Sequence, residues 1–372
     1  MKFSVSSQEL LKKLQLANGA IGTNPVLPIL EDFLFVLDNS ELRISATDLE
    51  TSIITTIEVR SEDAGAVAIP ARILIDTLKA LPPQPVTFEV DMDNFGIAIT
   101  SSYGKYKLAG ENGRDFPEIA QDGEETDTIT VESSMLVNAI SKTLFATSTD
   151  ELRPVMSGVL FHIDFGKLIL VATDAHKLVR YTYSGIETEV DTKFIAPKKA
   201  LNLLKSALPA GEQVTLKFDS SNAFFRFGET LLVCRLIDGR YPDYEGVIPK
   251  NNPNLLGIER SDFQNSLKRI SIYANKTTNQ VMLDISDGSL TVSAQDLDFS
   301  NEATEQLSCS YDGDALRIGF NARFLAEMLG VLENDEVQMQ LGGPMQAGIL
   351  KPTETPEDED ILMLVMPVML SN

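Results

Sequence analysis

Apolar residues along this chain switch period repeatedly, from two to about three and a half and back. Leu10, Leu11, Leu14 and Ala17 recur at helical spacing, as do Leu136, Val137, Ile140 and Leu144, and then Phe263, Leu267 and Ile270. A second helical stripe in the first third carries Ile73, Leu74, Leu78 and Leu81. Between these stripes lie strand-like segments such as residues 33–37, an apolar run, and residues 86–90, where apolar and polar positions alternate as in a half-buried strand. Each third of the chain reads alike: short strand, amphipathic helix, strands, second helix, strands. Two helices among many strands per third predict an α+β class.

The likeness extends to individual residues. Leu42-Arg43-Ile44-Ser45-Ala46-Thr47-Asp48-Leu49 recurs as Leu168-Ile169-Leu170-Val171-Ala172-Thr173-Asp174-Ala175 and again as Leu290-Thr291-Val292-Ser293-Ala294-Gln295-Asp296-Leu297. Ala68-Ile69-Pro70-Ala71-Arg72 recurs as Ile195-Ala196-Pro197-Lys198-Lys199 and Gly319-Phe320-Asn321-Ala322-Arg323. A period this long is a whole domain rather than a solenoid repeat. The joins are turn-rich, at residues 112–118 and 238–244, and the expected domains are 1–125, 126–253 and 254–372.

Charge complicates the picture. The 372 residues carry a formal net charge of −23, which argues against contact with phosphate unless the cations are segregated. They recur on the helices. Arg72, Lys199 and Arg323 hold one matched position at the start of the second helix of each third, with Lys79, Lys198 and Lys205 on the same helices. Lys12, Lys13, Lys142, Lys268 and Arg269 lie on the first helices. Facing a common axis, these would form a lining that binds phosphates without reading bases. The acidic runs, Glu124-Glu125-Thr126-Asp127 and Glu357-Asp358-Glu359-Asp360, fall in a join and in a loop near the C-terminus.

Signals for chemistry are missing. There is no phosphate-binding glycine loop, no zinc-protease helix and no nucleophile elbow. Residues 91–96 open like a calcium loop, but Ser102 stands where the bidentate carboxylate belongs. Two distant cysteines, Cys234 and Cys309, form no disulfide framework. With no signal peptide and no long apolar run, a cytoplasmic location is expected. A catalytic triad would have to use one of the two histidines, His162 or His176; His176 follows Asp174 by two residues, yet Asp174 has counterparts at Asp48 and Asp296, as expected of a residue that caps a strand end. The second third alone has Ala175-His176-Lys177-Leu178 after that Asp, and the chain ends on an apolar, Met-rich segment whose residues after Pro367 should leave the sheet.

Taken together, Leu27-Pro28-Ile29-Leu30, residues 172–178, Gly239-Arg240-Tyr241-Pro242-Asp243-Tyr244 and the terminal residues 365–370 resemble the beta subunit of bacterial DNA polymerase III, the sliding clamp. The resemblance covers the whole chain. It implies three DNA-clamp domains per chain, and two chains joined head to tail in a ring with helices inside and sheets outside. It implies no enzymatic activity and no cofactor. Its partners would be double-stranded DNA, a second copy of itself, and the polymerase III catalytic subunit, clamp loader and repair proteins bound through short linear peptides. By position, the peptide pocket would use Met156, Thr173, His176, Lys177, Leu178, Pro242, Val247, Met345, Leu364, Val365, Met366, Pro367, Val368 and Leu370, and the dimer contact Tyr106 and Leu108 with Ile272 and Tyr273. The chain departs from the family pattern at Ala175 and Lys177, where glycine and arginine are common, at Met369, where some members have arginine, and at Asn24, another frequent arginine. A peptide-binding scaffold of three repeated domains with no DNA role is the alternative.

Overall fold

The computed structural model describes residues 1–123 and 127–369. Glu124, Glu125 and Thr126 of the acidic join, and Leu370 at the expected pocket, lie outside the described residues. The chain divides into two compact units, Met1–Leu136 with Lys199–Leu236, and Val137–Lys198 with Ile237–Asn372.

Each unit contains a nine-stranded and a four-stranded antiparallel sheet. In the first unit the centre of the large sheet runs through Asp32–Asp38, Glu41–Thr47, Thr51–Glu58 and Thr230–Arg235. The last two pair with Ser52 opposite Val233 and Ile54 opposite Leu231. In the second unit the same places are taken by Gly158–Asp164, Lys167–Thr173, Lys177–Tyr183 and Glu359–Val365, with Leu178 opposite Leu364 and Arg180 opposite Leu362. Both sheets thus cross a join between successive repeats in one register. This is why the compact units cut across the repeats: ladder hydrogen bonds bind the end of one repeat to the middle of the one before.

Six α-helices occur among the described residues: α1 (Ser7–Ala17), α2 (Ala71–Ala80), α3 (Ser133–Thr143), α4 (Lys198–Ala207), α5 (Arg260–Ile270) and α6 (Ala322–Gly330). Their starts are written locally. Ser6 caps α1 by accepting from Glu9 N at 3.4 Å, and Asn321 caps α6 by accepting from Arg323 N at 2.9 Å. The expected stripes are largely buried: Leu10, Leu14 and Ala17 on α1, Leu136 and Ile140 on α3, Phe263, Leu267 and Ile270 on α5. The stripe on α2 needs correcting. A 3.6-residue turn puts Ala71, Leu74, Ile75 and Leu78 inward, so Ile73 lies on the solvent side and is half exposed.

In the first unit the core gathers Phe3, Phe35 and Phe88, with Phe3 and Phe88 stacked at 4.8 Å. Phe161 stacks on Phe194 at 5.1 Å in the second. At the C-terminal end, the strand Glu359–Val365 stops before Pro367, and Val368 keeps only a lone bridge, its N–H donating to Gly319 O at 2.8 Å. No helix among the described residues is long and apolar enough to cross a membrane.

Candidate peptide and nucleic-acid interfaces

On one face of the second unit's large sheet, alternation brings together Val171, Leu178, Ile349, Leu362 and Leu364. The segment after Arg235 folds over this cluster and seats Tyr241 and Tyr244 in it, with Ile237 and Ile248 packed alongside. Two polar contacts fasten that segment. Tyr241 Oη donates to Val171 O at 3.3 Å, and the Tyr244 hydroxyl lies 3.0 Å from His162 Nδ1. Burial, and after it the charge of Lys193, holds His162 below the usual imidazole range.

The cluster's wall is the turn after Thr173. Asp174 Oδ1 accepts from His176 N and Lys177 N, both at 2.9 Å, and Thr173 Oγ1 donates to Lys177 O at 2.7 Å. These bonds hold Ala175 at φ 75°, the left-handed region that favours glycine. Asp174 thus caps the strand end, its carboxylate engaged by backbone N–H groups and by the Lys177 ammonium at 3.5 Å. Met366 N donates to His176 O at 2.8 Å, which ties the terminal segment to the turn. Val247, Met345, Met366 and Met369 leave apolar side chains exposed at 57%, 64%, 42% and 73%.

Of the residues expected at a pocket, Leu178 and Leu364 join the cluster. Thr173, His176 and Met366 build its wall, and Pro242 and Val247 flank the tyrosines. Met156 is buried next to Val155, which packs on the cluster, and Pro367 and Val368 are half-buried. Lys177 and Val365 are opposite each other in the ladder, one place from Leu178 and Leu364, so alternation turns both to the other face. There Lys177 is buried, with its ammonium 2.7 Å from Glu327 and 4.5 Å above the ring of Phe324. Tyr241, Tyr244 and His162 were not singled out from the sequence as site residues. The motif at residues 239–244 carried the signal for the tyrosines, whereas nothing local marks His162.

The basic residues are unequal. Arg72, Lys199 and Arg323 are each the second residue of their helix, and all are exposed. Lys199 pairs with Asp48, while Arg72 and Arg323 have no ion pair among the described residues. Lys12, Lys79 and Lys268 are exposed and Lys198 and Lys205 half-buried. Lys13 meets Glu229 at 3.1 Å and Arg269 makes a two-pronged contact with Glu305 at 2.6 and 2.7 Å. Lys142 is drawn inward, 3.7 Å from Glu359 and over the ring of Tyr181.

Two sheet edges also stand open. The four-stranded sheet of the first unit ends on Lys105–Ala109, which carries Tyr106 and Leu108, and that of the second unit ends on Asn301–Ser308. Beside Tyr106, a groove of about 630 Å³ runs along α2 past Ile73, Thr77 and Leu81. On the second unit, Ile272 and Tyr273 are exposed at 64% and 43%.

Known proteins share this arrangement over their full length. The beta sliding clamp of Pseudomonas putida is 28% identical across 100% of both chains, and that of Staphylococcus epidermidis 30% identical across 99% of both. The crystal structure of the Pseudomonas aeruginosa sliding clamp bound to griselimycin matches with a TM-score of 0.93 at 26% identity, covering 100% of both chains. The Bacillus subtilis clamp also matches with a TM-score of 0.93 at 26% identity and the same coverage. Residues 1–120, 130–243 and 245–369 match, in order, the N-terminal, central and C-terminal domains of the DNA polymerase III beta subunit, so the chain is an α+β protein of three clamp domains that belongs to the beta subunit family.

Proposed function

We propose that the chain is a DNA sliding clamp: two copies close head to tail into a ring around duplex DNA and hold a polymerase on it. The domains are taken as 1–125, 126–253 and 254–372. One observation carries the reading. The same exposed cation opens α2, α4 and α6, at Arg72, Lys199 and Arg323. A cation in a first turn opposes the helix dipole and costs about 0.3–1 kcal/mol. Three repetitions of an unfavourable placement point to an external anion that reverses the sign. Phosphate contacts of this kind carry no base specificity and let the protein slide. A ring needs no tight grip, which is how a chain of net charge −23 can work on DNA. It acts by topology and not by catalysis.

Ring closure uses the open edges. Lys105 and Lys107 flank Tyr106 on one edge, and Glu302 lies on the other, so the strands are complementary in charge. Ile272 and Tyr273 supply apolar area for the groove beside Tyr106. A contact between different surfaces that closes after two copies has no free ends. The apolar cluster around Leu178 and Leu364 takes short linear peptides of polymerase, clamp loader and repair proteins in the cytoplasm.

The test is retention. Loaded on nicked circular duplex, the protein should stay bound through gel filtration and leave once the circle is cut. Equal loss from both forms would leave only a peptide-binding scaffold. Ile272→Asp should yield a monomer by mass measurement, and no retention.

A further inference from the structure

The first unit contains a second copy of the peptide site's framework with its chemistry changed. Asp48 Oδ1 accepts from Glu50 N at 3.1 Å and Thr51 N at 2.7 Å, as Asp174 does from His176 and Lys177. Thr47 Oγ1 donates to Thr51 O as Thr173 does to Lys177 O, and Leu49 stands at φ 78° where Ala175 stands at 75°. Arg235 N donates to Glu50 O at 2.8 Å, the same bond and length as Met366 N to His176 O. Backbone and register are therefore shared.

Most of the side chains lining this framework are more polar, while Val233 keeps the apolar character of Leu364 and Ile54 stands where Arg180 does. Ser52 pairs across to Val233 where Leu178 pairs to Leu364. Asn222 faces Arg235 in the ladder at the place where Ala347 precedes the Gly348–Val365 pair. Glu50 replaces His176 and Arg235 replaces Met366. Around these residues lies a cleft of about 290 Å³, bounded also by Ile119 and Glu118. Its floor is polar and satisfied within itself, because Thr47 Oγ1 and Ser52 Oγ share a hydrogen bond of 2.7 Å.

We infer that this cleft is a second linear-peptide site, selective for an extended segment carrying an arginine or lysine side chain. The charge count selects the ligand. Arg235 faces Glu50 at 3.9 Å, with 66% and 63% of those side chains open to solvent, and exposed Glu118 forms no ion pair among the described residues. The rim therefore carries one uncompensated carboxylate. An apolar anchor would desolvate Asn222, Glu50 and Glu118 without replacing their hydrogen bonds, whereas a cationic side chain supplies donors to both carboxylates. Ile119 and Val233 are left to cover its aliphatic stem. A partner bearing an apolar motif and a basic one would gain avidity from two weak contacts. The inference rests on the apolar cluster being a peptide site, since it argues from a shared framework.

The full-length protein, labelled at Ile, Leu and Val methyls, is titrated with N-acetylated Gly-Arg-Gly amide and separately with N-acetylated Gly-Leu-Gly amide. The arginine peptide should shift Ile119 and Val233 saturably, and the leucine peptide should not. In the Glu50→Gln/Glu118→Gln double variant the arginine peptide should bind at least about fivefold more weakly. Equal shifts from both peptides, unchanged affinity in the variant, or no shift at tens of millimolar peptide overturns the inference. Ile349 and Leu364 methyls in the same sample report the apolar cluster. If they stay still with the leucine peptide while Ile119 responds to the arginine peptide, the reading of the apolar cluster fails, and binding in this cleft is shown directly, without the argument from the shared framework.

Discussion

Lys177 and Glu327 are 150 residues apart, yet the ammonium of one lies 2.7 Å from a carboxylate oxygen of the other, and 5.7 and 4.5 Å from the ring centres of Phe145 and Phe324. Only 6% of the Lys177 side chain is exposed, against 40% of Glu327. The pair joins the turn carrying His176 to α6, the helix with Arg323 in its first turn. Removing the carboxylate leaves a buried cation with Asp174 alone, at 3.5 Å. Glu327→Gln is therefore expected to lower stability by about 1 kcal/mol, a modest figure because Glu327 is partly in water. Lys177→Met keeps apolar packing against the Phe145 and Phe324 rings and removes the charge, and should cost less. Denaturant midpoints of the two variants decide the order.

Ala175 offers a cleaner case. Its φ of 75° is fixed by the Asp174 and Thr173 bonds around it, and an L side chain there is strained. Ala175→Gly should stabilise the chain by about 0.5–1 kcal/mol, after the loss in unfolded-chain entropy is counted. Peptide affinity at the apolar cluster should stay within about twofold, because the turn is already held in the conformation glycine would choose. A lower melting temperature for the glycine variant would mean that the turn is not held as described.

How much of this was legible in the sequence follows from what each signal depends on. The repeat, the helix stripes and the three cations in matched positions depend on spacing alone, and spacing survives in the chain. The turn after Thr173 was legible because Asp174 recurs at Asp48. The direction of Lys177 was not: a residue at a strand's first position can face either side, and only the ladder with Glu359–Val365 fixes it. Ile73 was misassigned because four apolar residues in α2 fit two overlapping stripes, and burial chose the one containing Ile75. The partnership of His162 with Tyr244 joins positions 82 apart with no local cue. The fit between two frameworks, one apolar and one polar, needed the strand register as well as the repeat.

Asp32 gives the fold a pH dependence of unusual sign. It opens its strand opposite Pro70 and is 6% exposed. Burial, then Glu111, then Glu31 push its carboxyl up to about 6, against 3.8 unperturbed. From about pH 4 to 6 the unfolded chain has released this proton and the folded chain has not, so rising pH disfavours folding; above 6 the cost is constant. Asp32→Asn removes the charge. Its expected gain is about 2 kcal/mol at pH 8, shrinking to nothing near pH 4. Denaturation curves of both proteins across that range test it, since the other carboxylates cancel in the difference. A gain independent of pH would show that the carboxyl is not held neutral.

The DNA contacts should separate by their present partners. Arg72 and Arg323 have no ion pair among the described residues, whereas Lys199 must leave Asp48 before it can meet a phosphate. Each counterion released on binding contributes about 0.9 to the slope of log affinity against log salt. Arg72→Ala and Arg323→Ala each remove one cation from both chains of the ring and are expected to flatten that slope by up to about two on linear duplex, whatever its sequence, and Lys199→Ala by less. Fluorescence anisotropy over a salt series measures all three. Retention on a closed circle should change little in any of them, because a ring held by topology leaves only when it opens. A variant that lost retention while its dimer stayed intact would mean that these side chains, and not ring closure, keep the protein on DNA.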